Sequence, residues 1–115
     1  MIRPGEIYMA DFAEAGPHPV VILSREELNR GRYALVVLCT SARFALRSKL
    51  PNCVPFRAGQ FGFTVDCVVQ GENLLSINAA QLDLSAGPRG TLDDTAFRDV
   101  VRAIGYVMDS HCEPA

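Results

Sequence analysis

The sequence lacks a long hydrophobic run. Its longest continuous apolar stretch, Ala34 to Cys39, is far shorter than the roughly 20 residues that a membrane-spanning helix needs. We therefore expect no membrane segment. The N-terminal stretch "MIRPGEIYMADF" also lacks the apolar core and cleavage site of a secretory leader. This predicts a cytoplasmic protein with reduced thiols.

The four cysteines and two histidines form no metal-binding pattern. No C-x-x-C pair occurs, and the histidines do not bracket the cysteines at the spacing of a zinc site. We therefore expect neither a metal nor a cofactor. Cys39 and Cys67 lie in apolar runs that are typical of strands, where a free thiol packs as a small hydrophobic side chain.

The net charge is small but unevenly distributed. Residues 25–57 carry seven basic side chains against two acidic ones, a net charge of +5, and the rest carries four arginines against eleven carboxylates, a net charge of −7. Such asymmetry is typical of a protein with a surface for nucleic acid or phosphate. The alternative is a solvated basic loop without a partner.

The chain has the length of a single domain, residues 1–115, and the first two thirds contain short strand patterns. Five segments alternate apolar and polar residues or are rich in β-branched residues. They are "GEIYMADF", "PVVILS", "YALVVLCT", "NCVPF" and "FTVDCVVQ". Pro51 and Pro55 indicate a sheet edge, because proline cannot donate a ladder hydrogen bond.

The last part of the sequence has a helical pattern. Apolar residues recur there at steps of three and four, which predicts one stripe of an amphipathic helix packed on the sheet. They are Leu92, Ala96, Phe97, Val100, Val101, Ile104, Val107 and Met108. Thr91 and Asp93 are both suitable N-caps. The predicted fold class is α+β, mostly β: a small barrel with a C-terminal amphipathic helix.

Six blocks along the chain resemble, in order and in spacing, those of the MazF/PemK toxins of type II toxin–antitoxin pairs. They are "RPGEIYMADF", "HPVVILS", "VVLCTSA", "KLPNCVPF", "GFTVDCVV" and "ENLLSI". The resemblance covers nearly the whole chain. It implies an SH3-like barrel that forms a homodimer, and an endoribonuclease that cleaves single-stranded RNA such as mRNA without metal. It also implies a cognate antitoxin protein as partner.

The family reaction is an attack of the ribose 2′-hydroxyl on its own phosphate, and the resemblance assigns two catalytic positions to this chain. The family arginine before proline corresponds to His18, and the family threonine at the end of the next strand corresponds to Thr40. Guanidinium is a permanent phosphate clamp, whereas imidazole titrates in the neutral range and transfers protons. His18 is either a catalytic acid or base, or a loop residue shaped by its two flanking prolines.

Further residues after Thr40 are candidates for RNA binding. The hydroxyls of Thr40 and Ser41 can donate to a phosphate oxygen, and the cations Arg43, Arg47 and Lys49 can bind neighbouring phosphates. The alternative is that Thr40 and Ser41 cap a short helix in "SARFALRSK".

The block "ENLLSI" departs from the family pattern "EQIRTI". Asn73 replaces a glutamine and Leu75 replaces an arginine, so we expect a weaker grip on RNA. Glu72 remains as an acceptor for the exocyclic amine of a base. Three phenylalanines are candidates either for base stacking or for the core, namely Phe12, Phe44 and Phe61.

Three functions remain open from the sequence. The first is a sequence-preferring endoribonuclease. The second is a member of the family that has lost catalysis and binds only RNA or an antitoxin. The third is a gyrase poison that resembles the CcdB toxins, which share this barrel.

Overall fold

A computed structural model describes residues 1–108 of the chain. Within them the strands are β1 (Glu6–Asp11), β2 (Pro17–Ile22), β3 (Tyr33–Thr40), β4 (Cys53–Phe56), β5 (Cys67–Asn78) and β6 (Gly90–Thr91). The helices are α1 (Phe44–Arg47) and α2 (Asp94–Val107), and 3-10 turns lie at Ala13–Ala15 and Ala79–Gln81. All five predicted strand segments and the C-terminal helix are therefore confirmed, whereas β6 was not predicted.

The strands form one antiparallel sheet in the order β4-β5-β3-β2-β1-β6. The sheet curls into a half-barrel, which confirms the predicted mostly-β small barrel with a terminal helix. β4 is an edge strand, as Pro55 indicated. Proline has no backbone N–H to donate, and an edge strand tolerates this because only one of its sides faces a neighbouring strand.

The two faces of the sheet bury two separate groups of apolar side chains. The first group lies between the sheet and α2 and includes Ile7, Val21, Val37, Cys39, Cys67, Val69 and the helix residues Val100 and Ile104. The second lies on the opposite face and includes Tyr8, Ala10, Val20, Ile22, Val36 and Ile77. Side chains alternate between faces along a strand, so the β-branched runs of β2 and β3 supply both groups.

Strand β5 is longer than the sequence predicted and contains an irregularity. Cys39 of β3 pairs with Val69, but Val37 pairs with Leu74. The single residue Leu38 therefore stands opposite four residues of β5, numbered 70–73. We call residues 70–73 the β5 bulge. An insertion of this kind bends a strand and changes the direction of its side chains.

Helix α2 begins as the sequence predicted. The side chain of Asp93 accepts a hydrogen bond from the backbone N–H of Ala96 at 2.8 Å, and Asp94 adds negative charge to the first turn. Of the two suggested caps, Asp93 is therefore the one used. The helix buries Ala96, Val100, Ala103 and Ile104.

The predicted apolar stripe of α2 is wider than the surface that the sheet covers. Val101, Val107 and Met108 are exposed, at 49%, 43% and 62% of their surfaces. The curled sheet meets only one side of the helix, so its other flank borders an open apolar groove of about 530 Å³. Leu23, Leu35 and Leu74 of the sheet and Phe97, Val101 and Met108 of the helix line it. We call it the α2 groove.

The cysteines within residues 1–108 are buried. Cys39 and Cys67 are buried in the first core group with free thiols, which confirms their predicted packing role. Burial raises the pKa of the Cys39 thiol well above its usual range and that of Cys67 to about 11. His111 and Cys112 lie outside the described residues.

Candidate active site

His18 and Thr40 lie at the same end of two neighbouring strands. Val20 pairs with Leu38 and Ile22 with Val36. The paired register ends at Val20 and Leu38, and His18 and Thr40 each lie two residues beyond it, toward the same end of the two strands. Because side chains alternate along a strand, both residues belong to the face of the second core group. The two positions that the sequence suggested as catalytic, twenty-two residues apart, therefore occupy one end of one sheet face.

The loop before β2 orients the imidazole of His18. His18 is partly exposed, and its Nε2 lies 3.2 Å from the carbonyl oxygen of Ala15. A carbonyl only accepts, so Nε2 carries the hydrogen, and in the neutral ring Nδ1 then has the free lone pair. Gly16, with φ of +76°, closes the turn in a conformation that favours glycine. The neutral ring is therefore held with Nδ1 as its basic nitrogen.

Thr40 has a hydroxyl proton available for donation. Its Oγ1 accepts a hydrogen bond from the backbone N–H of Ala42 at 3.2 Å. This bond fixes the oxygen while the O–H stays free to donate. Ser41 is exposed beside it. Part of the alternative interpretation also holds, because Thr40 bonds the turn before α1, but the N-cap itself is Arg43, with no side-chain cap bond.

Three cations that follow Thr40 in the sequence form no ion pair with a carboxylate of residues 1–108. Within residues 1–108, ion pairs join Arg3 to Glu26, Arg57 to Asp66 and Arg102 to Asp99. Arg43, Arg47 and Lys49 take part in none of these pairs. Arg43 adopts a left-handed backbone conformation with φ of 54°, and its side chain is exposed.

The basic span of the sequence is divided between two ends of the sheet. The connection between β2 and β3 carries Arg25, Arg30 and Arg32, and it lies at the end of these strands opposite to His18 and Thr40. Six residues of strand separate the two ends by about 20 Å. The basic residues of 25–57 are therefore distributed over both ends of the strand pair.

The aromatic candidates have different surroundings. Phe12 packs against the second core group, with its ring centroid 6.2 Å from that of His18. Phe61 packs against the first core group and edge-on to Phe56. Phe44, in α1, lies under the guanidinium of Arg57, which is 4.9 Å from the ring centroid. Phe44 is thus already covered on one face by a cation.

Glu72 and Asn73 lie in the β5 bulge. The bulge directs Glu72 to the exposed surface, and both side chains are hydrogen-bonded to neutral amides. Burial raises the pKa of the neighbouring Cys53 thiol, Glu72 raises it further, and Arg47 opposes them.

The sequence missed two residues at the bulge, Asn52 and Gln70, which bond to Glu72. Gln70 could have been noticed as a glutamine at the end of the apolar run "DCVVQ". Asn52 had no signal, because the contact spans twenty residues of sequence.

Two further properties of the described chain concern metals and membranes. Within residues 1–108, no group of three or more His, Cys, Asp or Glu side chains is arranged to hold a metal ion. No helix in that part of the chain is long and apolar enough to cross a membrane.

The described residues form a small half-barrel with an imidazole and a hydroxyl at one end of its sheet, and three cations follow that hydroxyl in the sequence. Residues 3–108 match the model of the family described as PemK-like, MazF-like toxin of type II toxin–antitoxin system. The chain belongs to this family. None of the curated protein sequences compared with the chain matches it.

Solved structures have the same fold at low sequence identity. A mycobacterial endoribonuclease in complex with its cognate antitoxin matches with a TM-score of 0.78 and 17% identity, over 100% of this chain and 99% of that one. The Mycobacterium tuberculosis toxin MazF-mt6 matches with a TM-score of 0.75 and 24% identity, over 90% and 96%. MazF in a MazE–MazF complex from Deinococcus radiodurans matches with a TM-score of 0.72 and 16% identity, over 93% and 94%.

Proposed function

We propose that this protein is the toxin of a type II toxin–antitoxin pair and cleaves single-stranded RNA without a metal ion. The observation that carries the proposal is that His18 and Thr40 lie on one face of the sheet, at the end where β2 begins and β3 ends, in a chain of the MazF-like family. A proton-transfer group and a hydroxyl donor on one sheet face, with unneutralised cations nearby, are what phosphodiester cleavage requires.

His18 is the general base of the proposed mechanism. Its Nδ1 takes the proton of the ribose 2′-hydroxyl as the 2′-oxygen forms a bond to the adjacent phosphorus. The bond from phosphorus to the 5′-oxygen breaks, and that oxygen leaves with a proton from water. The products are a 2′,3′-cyclic phosphate and a free 5′-hydroxyl.

Thr40 and the nearby cations stabilise the charge that grows on the phosphate. The free O–H of Thr40 donates to a non-bridging oxygen, and Ser41 is exposed beside it. Arg43, Arg47 and Lys49 bind neighbouring phosphates and supply the positive charge that a metal ion would otherwise provide. Glu72 and Asn73 contact a base of the same strand.

The direct test is cleavage of a long RNA by the purified protein in EDTA, followed by sequencing of the new 5′ ends. We expect cleavage at a short recurrent sequence, with 5′-hydroxyl ends. Activity that is lost in EDTA and restored by Mg²⁺ or Mn²⁺ would contradict the metal-free mechanism. Intact RNA under all conditions would favour the second candidate, a non-catalytic member that binds RNA or antitoxin.

Leu75 is the observation that favours this second candidate. It stands where the family pattern has an arginine, and 36% of its surface is exposed, so an apolar patch replaces a cation. RNA binding measured without cleavage would assign the protein to it. Inhibition of gyrase, with no effect on RNA, would instead support a function similar to that of CcdB.

We also propose two protein partners. One is an acidic segment of a cognate antitoxin, which Arg43, Arg47 and Lys49 attract because no carboxylate of the described chain pairs with them. The other is a second copy of this chain. The mycobacterial and Deinococcus structures are described as complexes of toxin and antitoxin, which supports the first partner.

The α2 groove is the surface that fits a second copy. Its lining is apolar, and its one charged residue, Arg102, is paired with Asp99, so two such grooves would not repel each other across a twofold axis. Light scattering at micromolar concentration should give a dimer, and Val101→Glu should give a monomer that still folds. A monomeric wild-type protein would contradict the dimer, and a dimeric variant would contradict this interface.

A further inference from the structure

Gln70 is a buried polar side chain in an apolar part of β5. Only 6% of its surface is exposed, and it follows Val68 and Val69, which are fully buried. A buried amide is stable only when its hydrogen-bonding groups are satisfied. The hydrogen-bond partners of the Gln70 amide therefore show what the side chain does in the structure.

The side chain of Gln70 joins the two residues proposed to contact RNA. Its Nε2 donates to Glu72 Oε2 at 3.3 Å, and its Oε1 accepts from Asn73 Nδ2 at 3.0 Å. Asn52 Nδ2 donates to the other carboxylate oxygen, Glu72 Oε1, at 2.8 Å. Four side chains thus form one chain of hydrogen bonds, which we call the amide network.

The backbone under the network is fixed as well. The N–H of Gly71 donates to the carbonyl oxygen of Asn52 at 2.8 Å. A Cβ atom at position 71 would lie 2.8 Å from this oxygen and 3.0 Å from the carbonyl oxygen of Ala103 in α2. Only glycine fits so close to both, so the β5 bulge is held between β4 and the helix.

The chemistry of Glu72 determines the direction of every bond in the network. An ionised carboxylate only accepts, so the amide of Gln70 must present its N–H to Glu72 and its oxygen to Asn73. Asn73 must then donate to Gln70. One N–H and the Oδ1 of Asn73 remain for a ligand, together with the unused lone pairs of the exposed Glu72.

The network lies on the face that carries Thr40. Thr40 pairs with Val68, and β5 keeps its regular register with β4 up to Gln70, which pairs with Cys53, so Gln70 lies two residues further along on the same face. Two residues of strand correspond to about 7 Å, close to the spacing of successive phosphates in an extended single strand. An RNA strand with one phosphate at Thr40 would therefore bring a neighbouring base to Glu72 and Asn73.

We propose that Gln70 and Asn52 determine the base preference of the ribonuclease at one position of its RNA, by holding Glu72 and Asn73 in a single arrangement. This inference rests on the proposed function. Gln70 and Asn52 are positioning residues, because they act through Glu72 and Asn73. A fixed carboxylate accepts from the exocyclic amine of a base and rejects a carbonyl at the same place. A freely rotating carboxylate discriminates less, because it must lose rotamer freedom on binding.

The first experiment measures base preference in two variants that break the network. Gln70→Leu and Asn52→Ala are incubated with a pool of random RNA in EDTA, and the cut ends are sequenced. At one position, the ratio of the best to the second-best base should fall about tenfold relative to wild type. Gln60→Leu is the matched control, since Gln60 is exposed and bonds only the backbone of Arg57. It should leave every preference unchanged.

The second experiment uses charge to separate positioning from a general loss of structure. Gln70→Glu keeps the shape but puts a carboxylate against Glu72, and repulsion raises the pKa of one of the two. Near pH 8 both are ionised and the preference should be weak. Near pH 5.5 one is protonated and donates its O–H to the other, so the preference should recover. The base preference is a ratio of two rates measured at the same pH, so a pH effect that is common to both substrates cancels.

The possible results separate failure of this inference from failure of the proposed function. If Gln70→Leu fails to fold, Asn52→Ala and Gln70→Glu carry the test, because Asn52 is only half-buried and Gln70→Glu preserves volume. Cleavage by every variant with the wild-type base preference, at both pH values, would overturn this inference and leave the proposed function intact. A wild-type protein that neither cleaves RNA nor binds a 2′-deoxy substrate analogue would overturn both.

Discussion

The two ends of the β2–β3 strand pair are both rich in arginine, but their surroundings differ. At the end that joins β2 to β3, Arg25, Arg30 and Arg32 accompany two glutamates, and Glu26 pairs with Arg3 at 3.5 Å. At the other end, residues 40–50 contain Arg43 and Arg47 but no carboxylate, although the arginines of both ends alike join no ion pair of residues 1–108.

The arginine-rich connection also contains a structural anchor. Asn29, which is 7% exposed, donates to the carbonyl oxygens of Ile2 at 3.0 Å and Ser24 at 2.9 Å, and its Oδ1 accepts from the hydroxyl of Ser24. The side chains of Ser24 and Asn29 therefore bond to each other and to the backbone, whereas the O–H of Thr40 donates to no acceptor of residues 1–108. Similar composition thus serves structure at one end and, in our proposal, phosphate binding at the other.

The largest effect is expected at Thr40. Thr40→Ala removes the hydroxyl that donates to the phosphate, so cleavage should fall about 100-fold, comparable to loss of an oxyanion donor. The thermal midpoint should change little, because the hydroxyl is at a strand end and bonds only the N–H of Ala42. Thr95→Ala, at an exposed threonine of α2 and therefore on the other face of the sheet, is the control. Equal rates for the two variants would remove Thr40 from the mechanism.

A substitution in the connection between β2 and β3 should change the stability of the protein but not its cleavage of RNA. Asn29→Ala leaves the carbonyls of Ile2 and Ser24 without their donor, so the free energy of unfolding should fall by about 1–3 kcal/mol. Urea unfolding measures this, and cleavage per folded molecule should stay at the wild-type value. A loss of cleavage with unchanged stability would mean that the connection contributes to the site.

Two double variants compare the arginines at the two ends of the strand pair. Arg43→Gln with Arg47→Gln should weaken binding of a short single-stranded RNA about tenfold and reduce the salt dependence by about 1.4 in logarithmic slope, for two phosphate contacts. Arg25→Gln with Arg30→Gln removes the same charge from the other end and should change neither quantity by more than a small factor. Equal losses would show that binding responds to net charge and not to position.

Much of the fold could be predicted from the sequence because its causes are local. The β-branched runs of β2 and β3 and the three- and four-residue spacing of α2 each depend on neighbours along the chain. Asp93 as N-cap is also a local feature. The position of His18 and Thr40 on one face needed the strand register as well, and the resemblance to the toxin family supplied the two positions.

The remaining features depend on contacts between distant parts of the sequence. The β5 bulge exists because Gly71 approaches the backbones of Asn52 and Ala103, which are nineteen and thirty-two positions away. The basic residues before β3 and those after it lie at opposite ends of the strand pair because the chain reverses between β2 and β3. The exposed side of α2 depends on how far the sheet curls around it. No periodicity or composition contains this information.

The dependence of cleavage on pH shows whether His18 is the base that acts with Thr40. Rates of the wild-type protein, His18→Gln and His18→Arg are measured in EDTA from about pH 5.5 to 8, the range in which imidazoles titrate. If His18 is the base, the wild-type rate rises with pH through this range, and His18→Gln loses both the activity and the rise. His18→Arg, which restores the family residue, should cleave without that rise. A flat wild-type profile, with His18→Gln as active as the parent, would contradict the account.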